Sequence, residues 1–204
     1  MAAAEAGADY VGFNFVPQVR RCLPENTARE IIRVFRMSHG HNGPQLVGIF
    51  VDQPLDEMNR IIKECDLDMA QLSGQEPINS CLYVDRPVIK AVHVPIGQPV
   101  EMVVNTLDSV LTELDEAGIL PLLDPDVLDG PGGTGHSFDW TIATKLAPRH
   151  KFLLAGGLSP ENVRQAVREV HPWGVDVSSG VETDGIKDPA KIIPFVQEAR
   201  AAAE

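Results

Sequence analysis

The sequence predicts an α/β fold built on a parallel sheet, and three observations carry that expectation. From Tyr10 onward, short runs rich in Val, Ile and Leu alternate with amphipathic stretches. The runs are continuously apolar, as parallel strands buried on both faces are. Helix-start signals fall between them, and the unbroken βα alternation favours a barrel or a doubly wound sheet.

Taken in order, Met1 to Gly7 (MAAAEAG) reads as the last turns of a helix, and seven strands are expected after it: YVGFNF (10–15), LVGIFV (46–51), MAQL (69–72), VIKAVHV (88–94), ILPLLD (119–124), FLLAGG (152–157) and VDVSSG (175–180). Helical spacing marks Leu55, Met58, Ile61, Ile62 and Cys65, then Val100 through Leu114, then Val163, Ala166, Val167 and Val170, each set forming one stripe. Ser159 before Pro160 and Asp188 before Pro189 set an N-cap ahead of a proline at the first helical position. Pro194 lies six residues beyond Asp188 and predicts a kink or a later start for the last helix. Stretches 38–44 and 129–135 read as loops within the pattern rather than linkers.

A length of 204 residues implies a single domain, 1–204, with room for a sizeable core. The 44% apolar content excludes a disordered chain, and only 5% is aromatic, so aliphatic residues must fill that core. Seventeen Lys and Arg against twenty-nine Asp and Glu give a net charge of −12, which opposes nucleic acid and anionic membrane as partners. Cys22, Cys65 and Cys81 are odd in number with no CxxC pair, which reads as reduced thiols and a cytoplasmic location. No apolar run is long enough to span a membrane, and no secretory leader precedes Tyr10.

Polar residues gather just after the strands: Arg21, Asp52, Ser73, Gln75 and Asp124, then glycines after the sixth strand and serines after the seventh. In a parallel barrel those ends share the face where active sites lie. LLAGGLSPENV (153–163) couples a strand to a helix through Gly156 and Gly157, where backbone can approach an anion; a plain tight turn is the bland reading. Ser178, Ser179 and Gly180 on the next strand offer a second set of donors, and two such loops in tandem favour phosphate binding. Asp124 ends a buried run, where poor solvation suits a general acid, although it could equally cap loop amides. GPGGTGHSFDW (130–140) lacks the Lys-Ser/Thr ending of a P-loop and reads as a loop over a site. Arg20 and Arg21 suit an anion or form a solvated pair, and His93 is a rim or core residue. The histidines show no metal-ligand spacing.

The strings ADYVGFNFVPQVRR, LVGIFVDQ, AQLSGQE, LLDPDVLDGPGGTGHSFDW, LLAGGLSPENV and GVDVSSGVETDGIKDPAKI, in this order across nearly the whole chain, resemble the phosphoribosylanthranilate isomerases of tryptophan biosynthesis. The resemblance implies a (β/α)8 TIM barrel, here lacking its first strand, that performs a cofactor-free Amadori rearrangement of a phosphosugar. It implies Asp124 as general acid, Arg21 near the anthranilate, Asp176 near the sugar oxygens, and Gly156, Gly157, Ser178, Ser179 and Gly180 around the phosphate. It also implies a cytoplasmic monomer or homodimer with a small-molecule substrate and no metal.

Three departures accompany it. Cys22 stands where the family has an aromatic, Ser73 stands where it has a histidine, and the opening Lys-X-Cys-Gly strand, whose cysteine is the general base, is not found. No general base is therefore assigned, and turnover by this chain is expected to be lower by about 10²–10⁴-fold. A phosphosugar-binding barrel without catalysis, and another phosphosugar isomerase or epimerase, are the alternatives.

Overall fold

The computed structural model describes residues 1–17, 19–126 and 138–203. Two compact units are distinguished, Ala3–Lys90 with Met1, and Ala91–Glu204 with Ala2.

The first unit contains α1 (Ala2–Glu5), β1 (Tyr10–Asn14), α2 (Glu25–His39), β2 (Gln45–Phe50), α3 (Leu55–Glu64), β3 (Met69–Leu72), α4 (Ile78–Cys81) and the start of β4 (Val88–Val94). The expected helix end at the N-terminus is present. Gly7, at φ 87°, lets its own amide reach Ala4 O at 3.0 Å while the Ala8 amide reaches Ala3 O at 2.9 Å, a Schellman closure. Strands β1 to β4 pair in parallel and in chain order, with Gly12 opposite Val47, Gly48 opposite Ala70 and Leu72 opposite Lys90. Phe50, Leu46 and Leu72 of the sheet are buried together with Ala28 and Ile32 of α2 and Ile61 and Ile62 of α3. Each helix thus buries the stripe that its period of about 3.6 residues aligns.

Asp68, just before β3, joins three elements of this unit. Its Oδ2 accepts from the Leu46 amide at 2.7 Å and from Arg36 Nη2 of α2 at 2.6 Å. Leu46 is fully buried, so its amide has no access to water if that acceptor goes. Asp68→Ala is expected to lower unfolding free energy by about 2–3 kcal/mol, read as the midpoint of urea unfolding. A change below about 0.5 kcal/mol would show that Arg36 and the Leu46 amide find other partners.

The second unit holds the rest of β4, α5 (Val100–Glu116), β5 (Leu120–Pro125), α6 (Trp140–Leu146), β6 (Leu153–Leu154), α7 (Val163–Val170), β7 (Gly174–Val175), β8 (Glu182–Thr183), β9 (Ile186–Lys187) and α8 (Pro189–Ala203). The Asp126 amide donates to Val94 O, and β5, β6 and β7 run parallel with Leu122, Leu153 and Gly174 in register. His150 places its two ring nitrogens 2.8 Å from Asp108 and from Asp115, fastening the α6–β6 connection to α5.

Three expectations are corrected here, and one element is added. The sixth and seventh strands are two residues each, because Gly156 and Gly157, at φ 90° and 64°, turn the chain after β6, and a 3₁₀ turn (Ser179–Val181) follows β7. Residues 182–187, to which the sequence pattern assigns no element, form the antiparallel hairpin β8–β9. The regular part of α7 begins at Val163 rather than Pro160, since residues 160–162 make a separate turn. Helix α8 starts at Pro189 and keeps Pro194 inside it. Its start is secured by Asp188, whose Oδ1 accepts from the Ala190 amide at 2.9 Å, and the adjacent Phe195 is buried, which offsets the one amide that Pro194 lacks. No helix among the described residues is long and apolar enough to cross a membrane.

Candidate active site

The register of β5, β6 and β7 decides what faces what. Two residues beyond the aligned Leu122, Leu153 and Gly174 come Asp124, Ala155 and Asp176. The ladder continues to that level, for the Ala155 amide donates to Leu123 O and the Asp176 amide to Leu154 O, both at 2.9 Å. Residues in register on parallel strands point to one face, so the two carboxyls share a face with only the Ala155 methyl between them. At a strand spacing of about 4.8 Å their backbones lie roughly 10 Å apart, close enough for each charge to act on the other.

Both side chains remain partly accessible, yet protein packed around them removes most of their hydration. Burial pushes the Asp124 carboxyl up to about 7, and the charge of Asp176 adds to the effect. Burial raises Asp176 as well, while the Lys187 ammonium and the Val177 amide pull it the other way. The amides of loop 127–137, which the alternative reading of Asp124 as a cap concerns, lie outside the described residues. A carboxyl that is half protonated near neutrality can deliver a proton; an ordinary one cannot.

The two glycine- and serine-bearing loops meet at a single point. A Cβ on Gly180 would lie 1.9 Å from Leu158 O, so the loop after β7 touches backbone of the loop after β6. The β6 loop is held in shape by Asn162, whose Nδ2 donates to Gly157 O at 2.9 Å and whose Oδ1 accepts from the Ser159 amide at 2.8 Å. Among the described residues, the amides of Gly156, Gly157 and Gly180 have no acceptor, which leaves three donors for an anion between neighbouring strands.

Other expected residues are distributed as follows. Arg21 lies in the first unit, in the turn after β1, and is half-buried where Arg20 is exposed. In that unit Asp52, Ser73 and Gln75 sit around a buried ion pair: Lys90 Nζ is 2.9 Å from Glu76 Oε2 and donates to the carbonyls of Gly74 and Leu72, while Glu76 accepts from the amides of Asp52 and Gly74. Cys65 and Cys81 are buried, and burial pushes both thiols up, which unfits them as bases. Of the loop 130–140 expected over the site, residues 130–137 lie outside the described residues, while Asp139 caps α6, which begins at Trp140. No cluster of three or more His, Cys, Asp or Glu suited to a metal occurs among the described residues. Lys187 and Ala155 went unnoticed in the sequence; the Asp184-Gly185 dipeptide, a turn signal for a tight hairpin, was the cue for Lys187.

A proton-holding carboxyl beside a second carboxyl, over an amide-lined cradle on adjacent parallel strands, fits the α/β enzymes that apply acid–base chemistry to phosphorylated small molecules. Comparison with known proteins gives the family. Residues 1–198 match the family model described as N-(5'phosphoribosyl)anthranilate (PRA) isomerase. The chain is 41% identical over 202 residues to N-(5'-phosphoribosyl)anthranilate isomerase of Dehalococcoides mccartyi, across 99% of this chain and 90% of that one. Identity to the enzyme of that name from Geotalea daltonii is 44% over 204 residues, across 98% and 90%. Among solved structures, phosphoribosyl anthranilate isomerase from Thermotoga maritima superposes with a TM-score of 0.82 at 32% identity, covering 98% of this chain and 92% of that one. A phosphoribosyl anthranilate isomerase in complex with reduced 1-(o-carboxyphenylamino)-1-deoxyribulose 5-phosphate gives 0.79 at 32%, covering 98% and 91%. The chain belongs to the N-(5'-phosphoribosyl)anthranilate isomerase family.

Proposed function

We propose that this protein converts N-(5'-phosphoribosyl)anthranilate to 1-(2-carboxyphenylamino)-1-deoxyribulose 5-phosphate in tryptophan biosynthesis, with Asp124 as the general acid. The observation that carries the assignment is the Asp124 carboxyl, pushed up to about 7 and in register with Asp176 across Ala155.

In this reading Asp124 gives its proton to the ring oxygen as the bond from that oxygen to C1 breaks, and the anilino nitrogen lone pair forms C=N. A base then removes the proton from C2, the C2–H electron pair forms C1=C2 as the C=N pair returns to nitrogen, and the resulting enolamine becomes the ketone when C1 takes up a proton and the C2 hydroxyl gives one up. Asp176 accepts from the sugar hydroxyls. The amides of Gly156, Gly157 and Gly180, with Ser178 and Ser179, hold the phosphate, and Arg21 pairs with the anthranilate carboxylate. Cys65 and Cys81 take no part as bases, being core residues.

Because the acid must be protonated, kcat/KM is expected to fall as pH rises through about 7, by tenfold per unit beyond it. Calorimetry with the reduced carboxyphenylamino-deoxyribulose 5-phosphate tests the binding half. Uptake that inorganic phosphate competes away supports the reading. Equal uptake of the dephosphorylated compound would overturn the assignment of the cradle.

A further inference from the structure

We propose that Asn162 is a positioning residue for the phosphate: by holding two successive peptide planes after β6, it sets the Leu158 carbonyl against Gly180 and so joins the two loops into one cradle. This role rests on reading those loops as the phosphate site.

Where Gly156 and Gly157 turn the chain, backbone pairing with the neighbouring strands has stopped, and the loop must be held by other groups. Asn162 does this from the start of α7, to which it is tied by the Ala166 amide donating to its carbonyl at 3.0 Å. Its side chain turns back toward the strand end. Nδ2 donates to Gly157 O at 2.9 Å, and Oδ1 accepts from the Ser159 amide at 2.8 Å. A carboxamide carries donor and acceptor in one group, so a single side chain makes both bonds. Ser159 closes the same turn, its hydroxyl accepting from the Glu161 amide at 3.3 Å and its carbonyl from the Asn162 amide at 3.2 Å.

Peptide planarity carries these two bonds to groups that Asn162 does not touch. In a trans peptide the carbonyl and the following N–H point to opposite sides, and no cis bond occurs among the described residues. With Gly157 O drawn to Asn162, the Leu158 N–H points away from it. With the Ser159 N–H drawn to Asn162, Leu158 O points away as well. That oxygen is where Gly180 packs, for a Cβ on Gly180 would lie 1.9 Å from it. The Leu158 side chain is buried, which anchors the pivot of both planes. Once Asn162 releases the 158–159 peptide, its carbonyl can swing, and Gly180 loses the surface that fixes its distance from Gly156 and Gly157.

The test is calorimetry of the full chain with the reduced carboxyphenylamino-deoxyribulose 5-phosphate and with its dephosphorylated form. Asn162→Leu keeps the size of the side chain and neither bond. It is expected to bind the phosphorylated compound about 10–100-fold more weakly and the dephosphorylated one as the parent does, with KM raised and kcat within a few fold. Asn162→Asp keeps the acceptor for the Ser159 amide but not the donor to Gly157 O; a loss of about tenfold is expected, and it carries the same comparison if Asn162→Leu does not fold. The joining of the loops is read from a double-mutant cycle. Both Asn162→Leu and Gly180→Ala act at Leu158 O, so the double variant is expected to bind within about threefold of Gly180→Ala alone. Losses that multiply would show the two residues acting separately and would overturn the proposal. Equal losses for the two compounds in Asn162→Leu, the mark of a merely structural role, would overturn it too. If the parent itself binds both compounds equally, the phosphate reading of the loops fails; if the parent prefers the phosphorylated one and Asn162→Leu keeps that preference, the role of Asn162 fails alone.

Discussion

Asp124→Asn is expected to lower kcat by about 10²–10⁴-fold while leaving the affinity for the phosphosugar within a few fold. The amide keeps the size of the carboxyl and its place in register with Ala155 and Asp176, so packing and the phosphate loops are undisturbed. What disappears is the transferable proton. Protonation of the ring oxygen acts only in the transition state, so its loss falls on kcat rather than on binding. Turnover within tenfold of the parent would show that another group opens the ring.

The same substitution is expected to raise stability at alkaline pH. The folded Asp124 carboxyl sits at about 7, against about 3.9 for an unfolded chain. Its contribution to stability is therefore fully present below the unfolded value, declines as pH rises between the two, and is gone once pH has passed the folded value. Above pH 7 the native state holds a carboxylate in a poorly hydrated place, and Asn removes that charge. Allowing for the residual solvent contact of the side chain, the gain at pH 8 is about 1–3 kcal/mol, and at pH 4 it vanishes. Urea unfolding at the two pH values gives the comparison. A variant that is inactive and yet no more stable at pH 8 than its parent would mean that Asp124 is well hydrated and that its role as acid needs a different source.

Most of this arrangement is legible in the sequence because it is one-dimensional. Continuous apolar runs mark all seven sheet strands, and Asp124 is visible as the polar residue that ends one of them. Helix α2 is harder to read, since Ile31, Val34 and Met37 are exposed and blur the stripe of Ala28, Ile32 and Phe35. The extents of β6 and β7 are illegible for another reason. FLLAGG and VDVSSG have the composition of longer strands, but ladder pairing stops where the glycines turn. The relation of Asp124 to Asp176 depends on strand register, a property of two segments that neither one encodes. Lys187 escapes for the same reason, because only the closed hairpin brings it back to Ser178.

Gly180→Ala is expected to weaken phosphosugar binding by about 10²-fold. The added Cβ would fall 1.9 Å from Leu158 O, 2.9 Å from Leu158 C and 3.1 Å from Ser159 Cα. All three are backbone atoms, so no rotamer relieves the contact, and one loop must retreat from the other by more than an ångström. That retreat separates Gly180 from Gly156 and Gly157, and a phosphate can no longer meet all three amides at hydrogen-bond distance. Overpacking adds a stability loss of about 1–3 kcal/mol. Gly174→Ala supplies the contrast within the same segment: its Cβ meets only Leu153 Cδ2, at 2.7 Å, the far end of a side chain that can turn aside. Calorimetry with the reduced phosphosugar is expected to find Gly174→Ala close to the parent and Gly180→Ala far weaker. Equal affinity in the two variants would mean that the loops bind phosphate independently, and that their contact at Leu158 serves packing alone.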